Sequence, residues 1–213
     1  MSHAFAHIAF TPSVKSAQQR DGSRAGYARS FEGDDMAFND RLGPSEIEFI
    51  SAQRSFYLAT VSETGWPYVQ HRGGPRGFLK ALDDKTLAFA DYAGNRQFIS
   101  VGNLSRNDRV AMILMDYAQR VRLKLLGRLH VRDLSPSDDL ADTLVDPTYR
   151  ARPQRAMVIT VEGFDWNCPQ HIPVRFDAED VQAALDARDQ RIASLEAELA
   201  VLRPAATSRP PSS

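Results

Sequence analysis

The sequence predicts a mainly β protein with flanking helices, folded as an antiparallel barrel or sandwich. Three observations carry this prediction. Six or seven short runs are rich in β-branched and aromatic residues. Tight turns join neighbouring runs with little helix between them, which excludes a doubly wound sheet. Residues 121–131 alternate strictly between apolar and basic side chains.

Residues 1–43 read as an arm. Residues 14–19 suit a helical turn or two, but Gly22, Gly26 and Gly33 interrupt any long element. Regular structure is expected from Gly43-Pro44-Ser45. Ser45, with Glu48 three residues on, predicts a capping box and a helix that ends near Ser55. Residues 56–62 and 66–72 form a hairpin around Glu63-Thr64-Gly65. Residues 73–77 make a flexible basic loop. Strands follow at 78–82 and 86–92, separated by Asp83-Asp84, then a short helix over 95–104.

The apolar run 110–115 predicts a buried strand. In 121–131, Val121, Leu123, Leu125, Gly127, Leu129 and Val131 share one parity, while Arg120, Arg122, Lys124, Leu126, Arg128 and His130 share the other. Such a strand has one face in the core and one basic face. A short helix over 136–145, a proline-flanked loop and a last strand over 156–161 complete a main domain of residues 44–176. In 177–203, Val181, Leu185, Arg188, Ile192, Leu195, Leu199 and Leu202 recur at steps of four and three, a heptad seam with one polar member. Three heptads suit a coiled coil, or a helix packed on the body or on a twofold mate. The Pro/Ser-rich residues 204–213 read as a disordered tail.

Composition narrows the function. With 43% apolar residues among 213, the chain can bury a core. A formal charge of −1 weighs against a nucleic-acid partner, so any bound anion must meet a local cluster of cations. A single cysteine, Cys168, cannot form an internal disulfide and suits a reducing compartment. No apolar run approaches a membrane span and no signal-peptide core is evident, so a cytoplasmic protein is expected.

Three basic clusters stand out: His71-Arg72 with Arg76 and Lys80, then Asn95-Arg96, then Arg120, Arg122 and Lys124. The first lies beside Gly73-Gly74, where bare N–H groups can form an anion nest. The second is expected at a helix N-terminus, where unpaired N–H groups favour negative charge. Together they can clamp one phosphate.

On these residues the chain resembles the pyridoxamine 5′-phosphate oxidase-like flavoproteins. The resemblance runs through Phe56-Tyr57-Leu58-Ala59-Thr60-Val61, Val69-Gln70-His71-Arg72-Gly73-Gly74 and Gly77-Phe78-Leu79-Lys80. It continues through Phe89 to Gln97 and the strand from Arg120 to Lys124, and the segment Asp165-Trp166-Asn167-Cys168-Pro169 matches a bacterial subgroup. It implies an antiparallel split β-barrel that binds FMN in a groove between the subunits of a homodimer and acts on a small-molecule substrate. Carried onto this sequence, Gln70, His71 and Arg72 line the flavin strand, and Lys80 approaches the phosphate or ring edge. Asn95, Arg96 and Gln97 form the phosphate turn, and Arg122 reaches the flavin. Arg122 or Lys124 would stabilise the reduced flavin at its N1–C2=O edge. Trp166 either stacks on the flavin or packs in the core or dimer interface.

The chain departs from the vitamin-B6 enzymes at its end, where Ile172-Pro173-Val174-Arg175-Phe176 leads into a long helix instead of their substrate-binding Arg-Leu-x-Pro stretch. No catalytic triad is evident, no catalytic residue is assigned, and the histidines lack metal-ligand spacing, so no metal site is expected. Other readings are a flavin or haem module, with His71 or His130 as axial ligand, and an F420 reductase with Arg76 and Arg128 along its groove. An empty dimerisation barrel is the last.

Overall fold

The parity read in residues 121–131 organises the sheet. The structure is a computed structural model that describes residues 3–32, 38–135, 139–167 and 169–202. It divides into two units, Met1–Ile172 and Pro173–Ser213. In the first, helices α1 (Ala4–Ala9), α2 (Pro12–Asp21), α3 (Arg24–Phe31) and α4 (Pro44–Ala52) precede strands β1 (Ser55–Val61), β2 (Pro67–Gly73), β3 (Lys80–Ala81) and β4 (Thr86–Tyr92). Helix α5 (Ile99–Leu104), strands β5 (Arg109–Asp116) and β6 (Val121–Asp133), helix α6 (Asp139–Leu144) and strand β7 (Pro153–Asn167) follow.

The strands form one antiparallel sheet in the order β2-β1-β5-β6-β7-β4-β3, a split-barrel arrangement. Along β6, Leu123, Leu125, Gly127 and Leu129 are buried while the intervening Arg122, Lys124 and Arg128 are partly exposed, as the alternation predicts. The register of β6 on β7 shifts between Leu126 and Gly127. A Cβ on Gly127 would meet the Thr160 carbonyl oxygen at 2.4 Å, so only glycine allows this close approach.

The core lies against one face of this sheet. Phe56 stacks on Phe78 at 5.5 Å and meets Phe89 edge-on at 5.2 Å. Because Phe56 is on β1 and Phe89 on β4, far apart in the strand order, the aromatic cluster brings the two halves of the sheet together.

Several elements depart from the expectations. The N-terminal segment contains three helices, and α1 packs on β7 with Ala4 and Ala6 buried. There a Cβ on Gly163 would lie 2.7 Å from the Phe5 nitrogen. Gly22 does end a helix, as its C-cap at φ +80°. The cap of α4 sits two residues earlier than expected: the Gly43 N–H donates to Glu46 at 2.9 Å, and Pro44 opens the helix. This helix ends at Ala52, before Ser55. The strand expected at 78–82 shrinks to Lys80–Ala81, because Phe78 turns into the core. The helix expected from Asn95 begins at Ile99, since Arg96 and Phe98 both have left-handed backbone. The last strand is longer than 156–161 at both ends, because its first half pairs with β4 and its residues from Arg155 to Asn167 pair with β6. Gly33, Pro136, Cys168 and the tail from residue 203 lie outside the described residues.

The second unit holds helix α7 (Ala178–Leu202), 25 residues with Glu179 and Asp180 in its first turn, where acidic side chains favour the helix dipole. The expected helix is present over the heptad pattern.

Candidate functional site

Strand β2 is an edge strand whose residues alternate: Tyr68, Gln70 and Arg72 are half-buried, while Val69 and His71 are exposed. The half-buried parity forms one wall of an open cleft. The end of β4 supplies Asp91 and Tyr92, the segment 94–101 forms a rim, and Gln154 and Arg155 at the start of β7 close the far side.

Asp91 anchors this cleft. It is only 5% exposed and pairs with two guanidiniums, Arg72 Nη1 at 2.6 Å and Arg155 Nε at 3.1 Å. A buried carboxylate needs such partners to offset the loss of water. Arg155 also lies over the Phe98 ring at 4.9 Å, and Arg72 over Phe89 at 5.8 Å. The buried Arg72 Nε has no hydrogen-bond acceptor among the described residues. Gln70 is fixed by the Ser100 hydroxyl, which donates to its Oε1 at 2.8 Å.

The rim is strained. Arg96 has φ +60° and Phe98 φ +53°, a conformation that costs about 1–3 kcal/mol per non-glycine residue. The Gln97 N–H donates to Asn95 Oδ1 at 3.2 Å and braces the turn. Arg96 is exposed and forms no ion pair among the described residues. The cleft thus gathers three guanidiniums (Arg72, Arg96 and Arg155) against one carboxylate, an excess of two positive charges.

A second cavity adjoins the first, because Tyr92 lines both. It holds Arg76, Lys80 and Asp146. Burial holds the Tyr92 phenol above its ordinary pKa, helped by Tyr149 and Asp146, so the shared wall is a neutral donor.

Of the ten residues singled out from the sequence, five line the cleft: Gln70, Arg72, Asn95, Arg96 and Gln97. Lys80 lines the adjoining cavity. His71 points away from the cleft and meets Tyr57 edge-on at 5.6 Å. Arg122 and Lys124 lie on β6, outside both cavities. Lys124 pairs with Asp165 at 2.7 Å beneath the Phe5 ring of α1, 4.8 Å away. Trp166 does not follow the last strand but lies within it. Its indole N–H donates to Glu46 Oε1 at 2.7 Å, and its ring meets Phe49 edge-on at 4.9 Å. The expected helix N-terminus behind Arg96 is also replaced, here by the left-handed turn 95–98. Sequence reasoning missed Asp91, Arg155, Tyr68 and Ser100. A lone carboxylate ending the apolar strand from Leu87 was the available signal for Asp91.

The family model described as pyridoxamine 5′-phosphate oxidase matches residues 46–164. No curated protein matches the sequence. Similar solved structures include HupZ of Group A Streptococcus, 15% identical over 63% of this chain and 100% of that one, with TM-score 0.45. A protein of Clostridium acetobutylicum related to general stress protein 26 is 16% identical over 63% of this chain and 92% of that one, with TM-score 0.41. An FMN-binding protein of Syntrophomonas wolfei is 12% identical over 72% of this chain and 96% of that one, with TM-score 0.44.

Proposed function

Because this chain belongs to the pyridoxamine 5′-phosphate oxidase family, matched over more than half its length, we propose that it is an FMN-binding oxidoreductase. It acts on a small molecule and works as a homodimer. The observation that carries the reading is the convergence of Arg72, Arg96 and Arg155 on one cleft that contains a single carboxylate.

These residues suit a phosphate monoester. Arg96, exposed on the rim, is free to make charge-assisted hydrogen bonds to phosphate oxygens, with the Asn95 and Gln97 amides beside it. Arg72 is held in place by Asp91, and its unmatched Nε–H is a donor in want of an acceptor. Gln70 and Tyr68 present polar groups on the same wall. When bound, FMN supplies hydride or single-electron transfer. The chain's part is to position and to set charge: the two surplus cations favour an anionic ligand, and Tyr92 offers a neutral O–H between the cleft and the cavity that holds Lys80. That adjoining cavity is the proposed place for the small-molecule substrate. Arg122, Lys124 and Trp166 would serve a flavin only from the neighbouring subunit of the dimer.

The competing cofactors find less support. An axial haem ligand would have to be His71 or His130, both exposed and neither lining the cleft. The F420 reading needs Arg128 along the groove, yet Arg128 is paired with Asp108 and Glu162 at a different cavity. Titration of cofactor-free protein with FMN and with riboflavin tests the phosphate assignment. FMN is expected to bind at least tenfold more tightly, the equivalent of about 1.4 kcal/mol. Equal affinities would remove the phosphate site.

A further inference from the structure

We propose that α7 is one half of a parallel, in-register, two-stranded coiled coil whose other half is α7 of a second copy of this chain. The inference is independent of the flavin reading. Over its 25 residues, about 37 Å of helix, α7 has no buried residue. Its apolar seam is exposed throughout, from 40% at Leu195 to 75% at Leu202. A helix apolar on one stripe and polar elsewhere is stable when that stripe meets another surface. The spacing of four and three assigns Leu185, Ile192 and Leu199 to heptad position a, and Val181, Arg188, Leu195 and Leu202 to position d.

Charge selects the occupant. With this assignment Arg191 falls at position g and Glu196 at position e. A parallel pair sets position g of one helix beside the following position e of the other, so Arg191 meets Glu196 of the second copy, twice by symmetry. On its own helix Arg191 is five residues from Glu196, too far around the cylinder to touch it, and neither makes an ion pair among the described residues. Of the antiparallel registers that close the seam, one sets Asp189 on itself, and the other offsets its Arg191–Glu198 contacts with Asp189 on Glu196. The unfavourable parallel layer is Arg188 on its own copy. Its aliphatic stem can pack there while the guanidinium reaches solvent, and one polar layer of this kind fixes register.

The test is disulfide trapping in the full-length chain with Cys168→Ser. Leu199→Cys, on the seam, is expected to cross-link fully under mild oxidation, whereas Ala197→Cys, on the outer face, is expected to stay uncross-linked. Arg191→Glu or Glu196→Arg alone should slow the Leu199→Cys reaction several-fold, and the two together should restore it. Absence of the Leu199→Cys cross-link would overturn the proposal, whether α7 packs on its own body, pairs antiparallel or stays single. Equal trapping at 197 and 199 would overturn it too, and failure of the double reversal would overturn the parallel register. None of these outcomes depends on whether the protein holds flavin.

Discussion

Asp91 Oδ1 accepts a hydrogen bond from Arg72 Nη1 at 2.6 Å, and this contact joins strands from opposite halves of the sheet. Strand β2 lies at one edge of the strand order, while β4 is next to last at the other. The ion pair therefore both helps close the barrel and fixes a cation at the cleft wall. Arg155, on the other oxygen of Asp91, ties in the start of β7.

Asp91→Asn removes the charge that both guanidiniums share, with Arg72 and Arg155 largely buried around it. Loss of one member of a buried pair leaves the other uncompensated, so unfolding by urea should show a loss of about 3 kcal/mol. A loss below about 0.5 kcal/mol, the range of an ordinary surface change, would mean that the pair does not brace the barrel.

Arg96→Ala should leave stability unchanged, because its side chain is exposed and forms no ion pair among the described residues. It should weaken FMN binding by about 1.5–3 kcal/mol, the contribution of a hydrogen bond to a charged group. Fluorescence titration reads the affinity. Parental affinity in this variant would place the phosphate elsewhere.

Trp166→Phe separates a packing role from a flavin role. The variant loses the indole bond to Glu46, while Glu46 Oε2 still accepts the Gly43 N–H. A loss of about 1 kcal/mol in stability is expected, with flavin content equal to the parent. If flavin were lost without loss of stability, Trp166 would belong to the cofactor site.

How much of this was legible in the sequence follows from what each segment contacts. Strand β6 was readable because one face is buried and the other wet, which writes a period of two into the residues. The ends of β7 were not, because Gln154, Arg155 and Asp165 are polar residues that owe their strand conformation to pairing with β4 and β6. The cleft was half legible. Arg72 and Arg96 are cations next to glycines and turn residues, a local signal. Asp91 and Arg155 come together across 64 residues of chain, and nothing local to either announces the other. Lys124 shows the converse: a basic strand face looked like an anion site until Asp165 and Phe5 proved to occupy it.

His3 gives a pH dependence with a definite sign. Burial lowers its pKa below the ordinary 6.5, with Lys124 acting in the same direction and Asp165 opposing. The folded state therefore binds the proton less readily than the unfolded state, and stability falls as pH drops below 6.5. The imidazole packs edge-on against Phe31 at 5.0 Å and contacts Asn39 through Nε2 at 2.7 Å, so the N-terminal helices should loosen first. Urea midpoints at pH 7.5 and 5.5 should differ in the parent and differ less in His3→Gln. An equal pH response in both would exclude His3 as its source.

The central claim is that the cleft of Arg72, Arg96 and Arg155 holds FMN. The most direct measurement is the visible absorption spectrum of the purified protein, with chromatography of whatever heat releases from it. The account predicts a flavin spectrum and release of FMN. A Soret band, a deazaflavin, or a colourless protein that does not take up added FMN would contradict it.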